Sequence, residues 1–121
     1  MHFKNVVIQS LAAVEAPIRL TSAEICERLA PTMKRLGIRE NILEEVSGIE
    51  ARRIWKEGTQ PSDAATLAAE KAIEESGIDR ERIGVIINTS VSRDYLEPST
   101  ACIVHGNLGL APHCLNFDVG N

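Results

Sequence analysis

The sequence predicts an α/β layer architecture: a mostly parallel, mixed sheet with helices on both faces. Three observations carry this expectation. Strand-like and helix-like patterns alternate along the chain. The stretch "IGVIINTS" is a continuous apolar run, the pattern of a strand covered on both faces. The stretch "PSDAATLAAEKAIEESG" is a helical pattern rich in small residues. With 121 residues and 44% hydrophobic content, the chain suffices for one small domain with a core.

Taken in order, "FKNVVIQSLAAV" opens as a short strand rich in β-branched residues. In "LTSAEICERLAPTMKRLGI", Thr21 and Glu24 have capping-box spacing, and Ile25, Leu29, Met33 and Leu36 recur at helical intervals. Pro31 lies inside that pattern and lacks an amide donor, which predicts a kink or two abutting helices, with Gly37 as the stop. "ENILEEVSGIEARRIW" is ambiguous: Gly48 marks a turn, and "IEARRIW" reads as a short strand or extended segment. In the alanine-rich helix, Ser62 or Asp63 serves as the cap. Ala64, Ala65, Leu67, Ala68, Ala72 and Ile73 form its packing face, and Gly77 ends it. "PSTACIVHGNLGL" predicts a helix with Pro98 at or near its first turn, where a missing N–H costs nothing. "CLNFDV" predicts another buried strand. A parallel sheet ending on such a strand needs cover for its outer face and edge. The expectation is a piece of something larger, or a chain completed by another.

Composition narrows the function classes. Net charge is −4, and the 13 basic residues are scattered, so nucleic-acid binding has little support. No apolar run approaches the roughly 20 residues that span a bilayer. The N-terminal stretch has no basic segment followed by an apolar one, unlike a signal peptide. Three irregularly spaced cysteines fit a reducing cytoplasm better than a disulfide framework.

The common phosphate cradles are absent: neither GxGxxG nor GxxxxGK[ST] occurs. Cys102 and His105 are three apart on a helical pattern, and His113 and Cys114 are adjacent. Adjacent ligands point apart, so no metal site is expected; Cys102 reads as a small helix-core residue and Cys114 as a residue near a strand start. A nucleophilic cysteine needs a depressed pKa and access to substrate. Cys26, mid-helix, and Cys102, in the first turns of its helix, have no adjacent base in sequence.

Glu97 lies in "SRDYLEPSTA", the connection from the apolar strand to the next helix. Sites in open α/β sheets gather at the carboxyl ends of strands. Tyr95, Leu96 and Pro98 are bulky and uncharged, and partial desolvation would raise a carboxyl towards the range of a general base. Arg93 and Asp94 can pair with each other. The residues alone leave two readings open: a base, or a helix-start carboxylate facing the dipole.

"SGIEARRIW", "SDAATLAAEKAIEESGID", "IGVIINTSVSRDYLEPSTACIVHGNLGL" and "NFDVGN" run in the order and spacing of the thiolase superfamily. The chain resembles its ketoacyl-ACP synthase III-like branch. "NTSVSRDYLEPSTA" is similar to the acyl-CoA condensing enzymes that start long-chain olefin biosynthesis by joining two fatty acyl groups. The resemblance covers the whole of residues 1–121 but only about the first third of such an enzyme. It implies the N-terminal part of a thiolase-type fold, incomplete and ending just before the expected nucleophile. In the family the "FDV" strand leads into a helix carrying that cysteine, just beyond the position matching Asn121. A histidine and an asparagine of the second half assist it.

For this chain the resemblance implies one catalytic residue, Glu97, reaching across a homodimer to remove an α-proton from the second acyl chain. Leu96 and Pro98 would shape the acyl channel. Malonyl-dependent synthase III enzymes have an apolar aromatic residue at the Glu97 position. They also have an arginine contacting coenzyme A where this chain has Val46, so those contacts do not transfer; Arg52 and Arg53 lie nearby. The expected substrates are fatty acyl-CoA (or acyl-ACP) thioesters, with no permanently bound cofactor. Residues 1–121 alone are expected to be inactive, the rest of the same protein supplying the nucleophile. Two alternatives stand beside this reading: a malonyl-ACP-dependent 3-oxoacyl-ACP synthase III, and a non-catalytic half-domain that docks on a complementary chain.

Overall fold

Helix boundaries follow short-range signals wherever a cap is available. The computed structural model describes residues 4–120, which fall into two compact units, 15–57 and 4–14 with 58–120. Phe3 of the expected first strand, and Asn121, lie outside the described residues.

In the unit 15–57, strand β1 (Ile18–Thr21) runs antiparallel to β2 (Ala51–Ile54), with Ile18 opposite Ile54 and Thr21 opposite Ala51. Between them lie helices α1 (Ser22–Leu36) and α2 (Ile42–Ser47). The capping box forms as the spacing predicts: the Thr21 hydroxyl accepts from the Glu24 amide, and the Glu24 carboxylate accepts from the Thr21 amide. Those bonds from Thr21, backbone first, hold the Glu24 carboxyl below its ordinary range. Pro31 neither splits nor ends α1, which continues to Leu36; the expected pair of abutting helices is one helix. Its buried residues are Ser22, Cys26 and Met33, whereas Leu29 and Leu36 are exposed. Gly37 ends the helix in the left-handed conformation (φ 66°), which glycine adopts without a Cβ penalty. Arg53 hydrogen-bonds the Pro17 carbonyl and lies 3.7 Å from Glu15, a local tether of the β1–β2 pair.

The other unit holds α3 (Pro61–Ser76), β3 (Val85–Asn88), α4 (Thr100–Asn107) and β4 (Leu115–Asp118). β3 and β4 pair in parallel, Val85 opposite Leu115 and Asn88 opposite Asp118. Bonds from Leu115 N to Gly84 O and from Val119 N to Asn88 O extend the ladder at both ends. Val104, Leu108, Leu110 and Cys114 form the core, packed by Ala65, Ala69 and Ile73 of α3 and by Ile83 and Ile86. The small-residue face of α3 therefore runs 65–69–73 at i, i+4 spacing, and Leu67, expected on it, is exposed.

Three expectations are corrected here. The segment 6–14 is not a strand: Val6, Val7, Ile8 and Leu11 are exposed, because no neighbouring strand offers them a ladder among the described residues. Among the described residues, the apolar run of β3 is covered on one face only. Ile86 meets the core, while Val85 and Ile87 stand with Leu115 and Phe117 on an open face, since α3 and α4 pack on one side. The cap of α3 is Gln60, with Pro61 in the first turn, where its fixed φ suits a helix start. Asp63 reaches back to the Gln60 amide at 2.9 Å, and Ser62 is left for another contact.

Candidate active site

The connection from β3 to α4 carries the sequence-predicted site. Glu97 is exposed, and among the described residues its carboxylate has no hydrogen bond or ion pair. Leu96 beside it is 83% exposed and Tyr95 is exposed as well. Pro98, expected at or near the first turn of α4, directly precedes the cap. Ser99 is the N-cap, its Oγ accepting from the Cys102 amide at 3.2 Å. The Glu97–Pro98 peptide is cis. The neighbours of Glu97 thus do not enclose it within this chain, contrary to the desolvation expected from their bulk. The amides at the α4 N-terminus are taken by a different carboxylate.

That carboxylate is Asp118, at the end of β4. Its oxygens accept from the Thr100 amide at 2.9 Å, the Ala101 amide at 2.8 Å and Asn88 Nδ2 at 3.1 Å. One side chain thereby joins both strand ends to the start of α4, where the helix dipole favours negative charge. Partial desolvation pushes the Asp118 carboxyl up, but the bonds from Ala101, Asn88 and Thr100, with the Arg93 charge, outweigh it and hold it below the ordinary range. A depressed folded-state pKa contributes stability above the unfolded value of about 3.9, and that contribution is lost as pH falls through the folded value. Asp118→Asn is therefore expected to destabilise the protein at neutral pH by a margin that shrinks below about pH 4. Urea midpoints at both pH values check this; a margin independent of pH would contradict it. Arg93 and Asp118 also line, with Ser90, Val91 and Gly120, a cavity of about 300 Å³ beyond the carboxyl ends of the strands.

Arg93 and Asp94 do not pair. Asp94 instead receives the Ser62 amide at 3.0 Å on one oxygen and the Ser62 hydroxyl on the other, both at the start of α3. Sequence reasoning missed Asp118, Ser62 and the true partner of Asp94, since each bond spans residues distant in sequence.

The remaining candidates disperse. Cys26 and Cys114 are buried; Cys102 is exposed on the first turn of α4, not packed as expected. His105 Nε2 bonds the Ala111 carbonyl and His113 is exposed, so the two histidines and their neighbouring cysteines form no cluster. Val46 is exposed in the other unit.

This arrangement is the N-terminal part of a thiolase-type fold, of the kind seen in a solved 3-oxoacyl-(acyl carrier protein) synthase III. The particular relatives are close. The acyl-CoA:acyl-CoA alkyltransferase of Xanthomonas campestris pv. campestris is 60% identical over 121 residues, all of this chain and 36% of that protein. The crystal structure of cerulenin-bound Xanthomonas campestris OleA matches with a TM-score of 0.91 at 60% identity, over 98% of this chain and 35% of that one. The crystal structure of a 3-oxoacyl-(acyl carrier protein) synthase III from Xanthomonas oryzae pv. oryzae matches with a TM-score of 0.92 at 60% identity, over 100% and 36%. No family model matches the chain. The chain thus spans about a third of the length of the relatives it matches.

Proposed function

We propose that these residues are the N-terminal part of a cytoplasmic, homodimeric acyltransferase that joins two fatty acyl-CoA thioesters, with Glu97 as base. The carrying observation is that Glu97 stands, unpaired among the described residues, on an exposed loop at the carboxyl end of a parallel strand, flanked by apolar Leu96 and Pro98. A carboxylate left free in this way is available to a second surface, which here is the partner's acyl site. No helix among the described residues is long and apolar enough to cross a membrane.

The chemistry needs no permanently bound cofactor. A cysteine from the rest of the protein attacks the first acyl-CoA, and free coenzyme A leaves with the thiol proton. Glu97 then takes a proton from the α-carbon of the second acyl-CoA. The resulting carbanion attacks the acyl-cysteine carbonyl, a carbon–carbon bond forms, and the cysteine thiolate departs. The proton held by Glu97 returns to that thiolate through solvent. Two acyl-CoA molecules thus yield one β-ketoacyl-CoA and one coenzyme A. A carbanion formed by decarboxylation would need no such base, and Leu96 and Pro98 would flank the chain being deprotonated.

The name of the Xanthomonas oryzae relative favours a second reading, a synthase III using malonyl-ACP. Incubating the complete protein with acyl-CoA alone, or with acyl-CoA and malonyl-ACP, separates the two. The expected result is β-keto product from acyl-CoA alone. Strict dependence on malonyl-ACP, with release of carbon dioxide, would remove the base role of Glu97.

A further inference from the structure

The loop that carries Glu97 has little to hold it. From Arg93 to Pro98 it makes no ladder or turn bond among the described residues, and its polar tether there is the Asp94 side chain. That tether is built to be rigid. Ser62 is 3% exposed, lies in the first turn of α3, and offers both its amide and its hydroxyl to the two oxygens of one carboxylate. A two-point contact fixes the orientation of Asp94 as well as its position, and the helix N-terminus strengthens it. α3 is itself anchored in the core through Ala65, Ala69 and Ile73.

We propose that Asp94 is a positioning residue: clamped on Ser62, it transfers the rigidity of α3 to the loop and so sets where Glu97 is presented. This inference rests on the reading of Glu97 as the base. Glu97 lies three residues beyond Asp94 and three before Thr100, whose amide is held by Asp118. The loop is therefore pinned on both sides of the glutamate while the glutamate itself stays free. Proton abstraction is sensitive to placement at the scale of an ångström, whereas acylation of the cysteine removes no α-proton and has no step for Glu97.

The test uses the complete protein and two readouts: coenzyme A release on acylation, and β-keto product formation. Asp94→Ala is expected to slow condensation by roughly 10–100-fold and leave acylation unchanged. Asp94→Asn should recover most of the loss, because its carbonyl still accepts from the Ser62 amide and its NH₂ can donate to the hydroxyl. Ser62→Ala, which removes a single oxygen, should slow condensation less than Asp94→Ala and carries the test if that variant fails to fold. A residue that acts through Glu97 has nothing left to act on without it. In a Glu97→Gln background, Asp94→Ala should thus leave the residual condensation rate unchanged. Equal losses in both half-reactions, or a full further loss in that background, would overturn the positioning role. If Glu97→Gln abolishes condensation while Asp94→Ala and Ser62→Ala leave it intact, positioning alone is wrong. If Glu97→Gln leaves condensation intact, the base reading fails and this inference falls with it.

Discussion

Glu97→Gln in the complete protein is expected to lower the rate of condensation by roughly 10²–10⁴-fold, the usual contribution of a positioned general base. Acylation of the enzyme by the first acyl-CoA should proceed at its ordinary rate, because no α-proton is removed in that step. The substitution keeps the size and reach of the side chain but replaces the charged, acceptor-only carboxylate with a neutral amide that cannot take the proton. Stability should barely change, since Glu97 is exposed and makes no hydrogen bond or ion pair among the described residues. Rapid-quench measurement of both half-reactions reads the split directly. A variant slowed equally in acylation would show that Glu97 acts on substrate binding, not on carbanion formation.

The largest expected effect on stability is at Leu108. It is 1% exposed and packs with Val104, Leu110 and Cys114, against Ala65, Ala69, Ile73, Ile83 and Ile86. Leu108→Ala removes apolar volume where α3, α4 and β3 converge, and helices packed on a paired strand cannot fully collapse to refill it. The expected cost is about 2–5 kcal/mol. Chemical denaturation of the complete protein measures it, and a loss under about 1 kcal/mol would show that the site relaxes or that Leu108 is less enclosed. Cys102→Ala, on the exposed side of the same helix, is the matched control, with little expected change.

Much of this structure is legible in the amino-acid sequence. The capping box at Thr21 and Glu24 and the glycine stops at Gly37 and Gly77 are bonds within a few residues, so spacing alone reveals them. The strands in "GVIIN" and "CLNFD" are legible because apolar, β-branched runs between turn signals have few other uses. Where local signals compete, the reading slips. Ser62 and Asp63 both look like caps, yet Pro61 takes the first turn and moves the start of α3 back to Gln60. The packed face of α3 excludes Leu67, and the sequence hides this because several alanines give the helix no sharp apolar stripe.

The candidate site divides along the same line. Glu97 was found from its place between an apolar strand and a capped helix, and the resemblance then selected a base over a dipole partner. At the α4 N-terminus it is Asp118 that accepts the Thr100 and Ala101 amides. The Asp94–Ser62 clamp joins residues 32 apart, and the Asp118–Thr100 bond joins residues 18 apart.

By itself the sequence determined the order of strands and helices, most of their ends, and the carboxylate at the tip of the β3–α4 connection. Those depend on backbone sterics, missing amides and caps that act over a turn or less. Only the tertiary structure decided which carboxylate caps α4, what holds the Glu97 loop, and that among the described residues β3 buries one face while 6–14 finds no strand partner. These depend on which distant groups meet in space, and a pattern of apolar and polar residues specifies that a surface be covered without specifying by what.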